Sequence, residues 1–302
     1  MPLPASTTSP DAVAGSASRS GASLALVSML CVQLGVAVAV GLIDQIGPQA
    51  TAWLRLAWAA LILLAVVRPR RIQFSAAALR SCVLLGVVTG AMTMLFMEAV
   101  ARLPLGTASA LEFLGPLGVA IARGRGARLA WPVLAGAGVL LLTEPWGGSA
   151  DPIGVAFALG AACCWAAYIL LTQRAGDQVE GFTALAVSIP VAAVATTIVA
   201  GPGVLTGLTP QILLAGLGLA ILLPVVPFAL ELLALRQLTT AAFGTLMALE
   251  PALALLIGLV ALHQVPGWPA VLGVGLVVAA GVGAERTGSR APVTPPPPAP
   301  VP

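Results

Sequence analysis

Apolar residues run along this chain in long blocks, separated by short breaks of arginine, proline and glycine. A bilayer-spanning helix needs about 20 predominantly apolar residues, and ten runs approach that length. They lie near 23–43, 49–67, 79–101, 105–122, 128–144, 153–173, 182–201, 211–235, 239–262 and 267–284. The third and fourth are divided only by Arg102-Leu103-Pro104. The pattern predicts an all-α integral membrane protein of ten transmembrane helices. Residues 1–22, rich in Ser, Ala and Thr, and 285–302, ending in PVTPPPPAPVP, read as disordered tails.

The runs repeat. Trp131-Pro132 with Gly136 and Gly138 has a counterpart, 137 residues later, in Trp268-Pro269 with Gly273 and Gly275. Pro116 likewise has an echo in Pro251. This divides the chain into a first repeat at 23–144 and a second at 153–284. Five spans per repeat is an odd number, so the second copy enters the membrane inverted. Two inverted five-helix repeats suit alternating access, with the site at the repeat interface near the midplane.

Composition sharpens the class. Of 302 residues 59% are hydrophobic and 8% charged, against roughly 25% charged in soluble domains. Every basic residue is arginine. With the N-terminus in the cytoplasm, Arg19, Arg68, Arg70, Arg71, Arg80, Arg123, Arg125, Arg128, Arg174, Arg236, Arg286 and Arg290 share one side, leaving Arg102 on the other and Arg55 within a span. That asymmetry puts both termini in the cytoplasm. It reads as topology signal, not as a nucleic-acid patch. Cys31, Cys82, Cys163 and Cys164 fall inside apolar runs without metal-ligand spacing and read as small packing residues. No metal cluster, phosphate-cradling loop or nucleophile elbow is present, so neither an enzyme nor a cofactor is expected.

Chemistry concentrates in two stretches, LGTASALEFLGPLGVAI at 105–121 and FGTLMALEPALA at 243–254. Each carries a glutamate in an Ala-Leu-Glu triplet, Glu112 and Glu250, with Pro116 or Pro251 close behind. An acid at membrane depth is costly and marks a functional site by default. Proline removes a backbone donor and loosens the helix beside it. A carboxylate withdrawn from water is a candidate proton carrier; kept charged, it suits a substrate ammonium group. Arg55, Glu98 and Glu231 are the other ionisable residues inside spans. Arg55 is placed to pair with Glu98 or Glu112. Glu98 also stands four residues before Arg102, a pair that would account for it alone. Glu231, near a helix end with Arg236, is expected to snorkel to the interface. Tyr168, the single tyrosine, is expected either to meet substrate or to make an interhelical hydrogen bond. Pro224 and Pro227 should loosen the eighth span at a cavity wall or gate. His263 reads as an exposed loop residue.

In combination PLGTASALEF, CWAAYILLTQRAG at 164–176 and FGTLMALEPALA resemble the drug/metabolite transporter superfamily with two EamA domains, and within it the bacterial threonine/homoserine exporter family. The resemblance runs from about 23 to 284. It implies ten helices in inverted repeats, a central cavity, a plasma-membrane location, and export of small amino acids by proton exchange. Position by position it implies Glu112 and Glu250 lining the cavity, Trp165 and Tyr168 on a facing helix, and Arg55 on the second span. Apart from the resemblance, Pro116, Pro251, Pro224 and Pro227 read as gating positions because they loosen their helices. One departure stands out: Leu262-His263-Gln264 occupies the place where such repeats carry Gly-Glu.

The expected partners are a small-molecule substrate, a coupling proton and the bilayer, with no nucleic acid; a homodimer stays open. Alternatives are the same fold exporting another metabolite or drug, and a non-transporting scaffold that recruits partners through its proline-rich tail. Removing residues 286–302 separates the last from the rest. A carrier should keep its export rate after the deletion, whereas a scaffold should lose its function.

Overall fold

The computed structural model describes residues 10–67, 75–123, 130–143, 150–176, 181–205, 207–235, 237–238 and 240–288. The described secondary structure is entirely helical. In chain order come α1 (Pro10–Val67), α2 (Ala76–Val100), α3 (Leu105–Glu112), α4 (Leu114–Arg123), α5 (Ala130–Thr143) and α6 (Pro152–Gly176). Then follow α7 (Gly181–Ala200), α8 (Pro210–Ala220), α9 (Val226–Leu235), α10 (Thr240–Met247), α11 (Glu250–Ala261) and α12 (Trp268–Gly288). Among the described residues, six stretches are long and apolar enough to cross a membrane: Ser20–Val67, Ala76–Val100, Leu105–Ala122, Pro152–Thr172, Thr183–Ala200 and Pro210–Glu231. Ala130–Thr143, Thr245–Ala261 and Trp268–Ala284 are shorter apolar helices.

Local sequence explains the boundaries. The first two expected spans are not separated by a loop. They form one 58-residue helix that turns a corner at Gly47, whose φ of 81° suits a residue without a Cβ. Pro48 follows and brings no N–H to bond back to Asp44, so the helix re-aims without a connection. The Thr51 hydroxyl donates to the Gly47 carbonyl at 2.8 Å. This helix begins at Pro10, upstream of its first apolar run. Ser75 caps α2 by accepting from the Ala78 N–H at 3.1 Å, and Thr209 caps α8 by accepting from Ile212 at 3.3 Å. The eighth expected span is interrupted, as its prolines predict: Ile221–Val225 forms a π turn, with Leu223 at φ −144° and Pro224 inside it.

The molecule is apolar outside and partly polar within. Val66, Ile198, Leu214 and Val133 are exposed. Gln33, Thr93, Glu98, Ser109, Glu112 and Glu250 are buried. That distribution suits a hydrocarbon surround, where polar side chains turn towards the bundle interior. One core gathers Val36, Leu42, Met97, Leu105, Leu111 and Leu219, joining α1, α2, α3 and α8. A second joins α4, α5 and α12 through Leu117, Leu142, Val274 and Val277, and takes in Phe113 and Ala248.

The repeated tryptophan-proline-glycine pattern has a packing role at one glycine of each copy. A Cβ on Gly138 would stand 2.8 Å from the Gly273 carbonyl oxygen, and a Cβ on Gly273 would stand 2.8 Å from that of Gly138. The α5 and α12 backbones therefore touch, as small residues allow in membrane helices. Gly136 and Gly275 face open space. Gly138→Val or Gly273→Val should each cost about 1–3 kcal/mol through overpacking, whereas Gly136→Val and Gly275→Val should fall within about 0.5 kcal/mol of wild type. Thermal unfolding in detergent measures the contrast, and equal losses at all four positions would contradict this crossing.

Candidate functional site

Two helices break beside their glutamates. α3 ends at Glu112, Phe113 lies between, and α4 begins at Leu114. α10 ends at Met247, and α11 begins at Glu250 after Ala248 and Leu249. The prolines stand just beyond each break. Pro116 has no N–H to return to the Glu112 carbonyl, and Pro251 has none for that of Met247. Phe113 N–H keeps the ordinary helical bond to Ser109 O at 2.9 Å, whereas Leu249 N–H closes a tighter turn onto Leu246 O at 2.9 Å. Both breaks seat against Gly281 of α12. A Cβ there would lie 2.8 Å from Ala248 Cβ and 2.8 Å from Phe113 Cε1. Trp165 of α6 packs edge-on against the Phe113 ring, with centroids 6.4 Å apart and planes at 77°. It thus braces the first break.

Glu112 and Glu250 are both buried. Glu112 lies within electrostatic reach of Arg55 and of Glu250, and Glu250 within reach of Glu231. Glu250 Oε1 accepts from Gln33 Nε2 of α1 at 3.2 Å. Among the described residues Gln33 Oε1 and Glu250 Oε2 have no hydrogen-bond partner, and neither do Arg55 Nε, Trp58 Nε1 and Ser109 Oγ. A buried polar atom without a partner costs about 1–3 kcal/mol, so each of these atoms stands out from the otherwise bonded interior.

Arg55 makes neither of the ion pairs expected of it. Its Nη2 donates to Thr93 Oγ1 of α2 at 2.9 Å. Among the described residues the salt bridges are those of Arg102, with Glu98 and with Asp151 at 3.8 Å. Glu98 is therefore held by its neighbour four residues on, and it also accepts from Gln49 Nε2 at 3.2 Å. The Arg102 guanidinium lies over the Phe157 ring, 5.0 Å from its centroid. A cavity of about 330 Å³ opens beside this cluster, lined by Gln49, Met94, Glu98, Phe157 and Thr196 among others. Gln264 Oε1 accepts from the Leu105 N–H at 2.9 Å and so satisfies a backbone donor at the start of α3. His263 is exposed.

Glu231 does not snorkel outwards. Ser28 of α1 donates to Glu231 Oε1 at 3.0 Å and to the Pro227 carbonyl at 3.2 Å, which draws the carboxylate towards the interior. Arg236, its expected companion, lies outside the described residues. Tyr168 stands beside Thr172, one turn on along its own helix, and feels the charge of Glu231.

Reading the chain alone overlooked Gln33, Ser28, Thr93 and Trp58. An amide in the apolar run 23–43 was a usable signal for Gln33, because such a group needs a partner inside a membrane. Ser28 and Thr93 carry weaker signals, since either hydroxyl can bond within its own helix.

Comparison with known proteins agrees with this architecture. Residues 152–283 match the EamA-like transporter family. The threonine/homoserine exporter RhtA of Salmonella typhimurium (strain LT2) is 37% identical over 272 residues, 88% of this chain and 92% of that protein. Its counterpart in Escherichia coli (strain K12) is 37% identical over 267 residues, 87% and 90% of the two chains. A solved crystal structure shares the fold at a TM-score of 0.55 and 17% identity, covering 88% of this chain and 97% of its own. The two RhtA relatives are exporters, not enzymes, and the chain belongs to the EamA-like transporter family.

Proposed function

We propose that this protein exports a small amino acid of the threonine or homoserine type across the bacterial inner membrane in exchange for protons. The observation that carries the reading is the burial of Glu112 and Glu250 at two helix breaks, within electrostatic reach of each other. A carboxylate in such a place can hold a proton or a substrate ammonium group, and exchange between the two couples their opposed movements. The printed activity of the relatives supports the substrate class.

The reading takes the chain as ten spans in two inverted five-helix repeats, 23–144 and 153–284, between tails 1–22 and 285–302. Both termini lie in the cytoplasm. The matching breaks after Glu112 and before Glu250 support the repeat, as does the paired crossing of Gly138 with Gly273. The arginine asymmetry supports the orientation. Substrate binding falls to Glu112, Glu250 and Arg55. Pro116, Pro251, Pro224 and Pro227 mark the places where the helices bend. Trp165 and Tyr168 flank the site, and Glu98 closes one end of the bundle with Arg102.

Proteoliposomes preloaded with threonine or homoserine test the whole reading. Efflux should accelerate when protons are supplied from the opposite side and should lose that acceleration when the gradient is collapsed. A rate indifferent to the gradient would remove the proton from the scheme. Glu112→Gln and Glu250→Gln should each lower export about tenfold or more, as loss of a charge-assisted contact implies, while membrane insertion stays normal. Wild-type rates in both variants would rule out the carboxylate mechanism.

A further inference from the structure

Among the described residues, four of the five partnerless buried atoms divide by polarity; the fifth, Ser109 Oγ, can both donate and accept. Gln33 Oε1 and Glu250 Oε2 are both acceptors, brought together by the 3.2 Å hydrogen bond between the two side chains. Gln33 is 2% exposed and Glu250 8%, so bulk water does not serve either oxygen. Arg55 Nε and Trp58 Nε1 are both donors. They stand three residues apart on the helical segment 48–67 and so share a face. Arg55 Nη2 is committed to Thr93 Oγ1 at 2.9 Å, which leaves Nε free. Glu112 feels the charges of both Arg55 and Glu250.

We infer that the site recognises a zwitterion by both ends: the free oxygens of Gln33 and Glu250 take its ammonium group, and the free N–H groups of Arg55 and Trp58 take its carboxylate. The inference rests on the amino-acid reading above and deepens it by naming Gln33 and Trp58 as specificity residues. A cation without a carboxylate leaves two buried donors bare. An anion without an ammonium group leaves two buried acceptors bare. Sites built around such hydrogen bonds discriminate steeply against ligands that lack them, because the protein's own groups are then unpaired. The Arg55 and Trp58 pair also accounts for an arginine that makes no ion pair with either nearby acid: its charge is held for a ligand.

The test is inhibition of threonine efflux in proteoliposomes by threonine amide, which has no carboxylate, and by 3-hydroxybutyrate, which has no ammonium group. In the wild type both should inhibit at least about tenfold more weakly than unlabelled threonine, the factor expected for one charged hydrogen bond. Trp58→Phe keeps the ring and removes the donor. It should raise the threonine KM about tenfold and leave inhibition by threonine amide unchanged. Gln33→Met keeps the side-chain length and removes the acceptor. It should weaken threonine and threonine amide together and leave 3-hydroxybutyrate unchanged. KM does not depend on how much carrier folds, and the wild-type analogue series decides the matter if a variant fails to accumulate. Equal inhibition by threonine and its amide in the wild type, or threonine KM values within twofold of wild type in both variants, overturns the zwitterion cradle while leaving amino-acid export standing. Absence of any amino-acid efflux from the wild type overturns the export reading and this inference with it.

Discussion

A helix that breaks inside hydrocarbon has no solvent to receive its freed carbonyls and amides, so each break must face protein. The interruptions at Phe113, at Leu223 and at Ala248-Leu249 all obey this constraint. Phe113 and Ala248 are buried against α12, and the Pro227 carbonyl beyond the π turn receives the Ser28 hydroxyl. α1 is the element that makes this possible. Its Ser28 serves α9 and its Gln33 serves α11, while Arg55, beyond the Gly47 corner, reaches α2. Once the breaks are turned inwards, the acids beside them are turned inwards too, and an apolar bundle acquires a polar centre.

Much of this was legible in the residues. Long apolar runs foretold the helices, and the Ala-Leu-Glu triplets followed by proline foretold where two of them would be interrupted. Pro224 foretold the third interruption. What escaped were relations that depend on three-dimensional reach. Arg55 looked like a natural partner for Glu98 or Glu112 because opposite charges in a membrane attract. Yet Glu98 had Arg102 four residues away on the same helix, and the nearer cation prevailed. Glu231 looked like a residue that would bend outwards, but a serine on a distant segment offered it a hydrogen bond inside. The corner at Gly47 escaped for a different reason. A Gly-Pro pair between two apolar runs reads equally well as a loop, and only the backbone distinguishes a turn of chain from a bend in one helix.

The glycine-rich repeat illustrates how pattern and role separate. Four glycines occupy equivalent places in two copies of one motif, yet Gly138 and Gly273 form the contact between α5 and α12 while Gly136 and Gly275 look away from it. Repetition in the chain marked α5 and α12 as counterparts, and only the packing shows that they touch. Which face of each helix meets the other is decided by packing, and an all-apolar helix does not advertise its faces.

Gly281 lets one more property be read from the packing. The ring of Phe113 and the methyl of Ala248 converge on this one residue from two different helices, and there is no room there for even a single added carbon. α12 therefore acts as a common bearing surface for both interruptions. The two halves of the chain thus meet α12 at one shared point, and any side chain at position 281 would press on both interruptions at once.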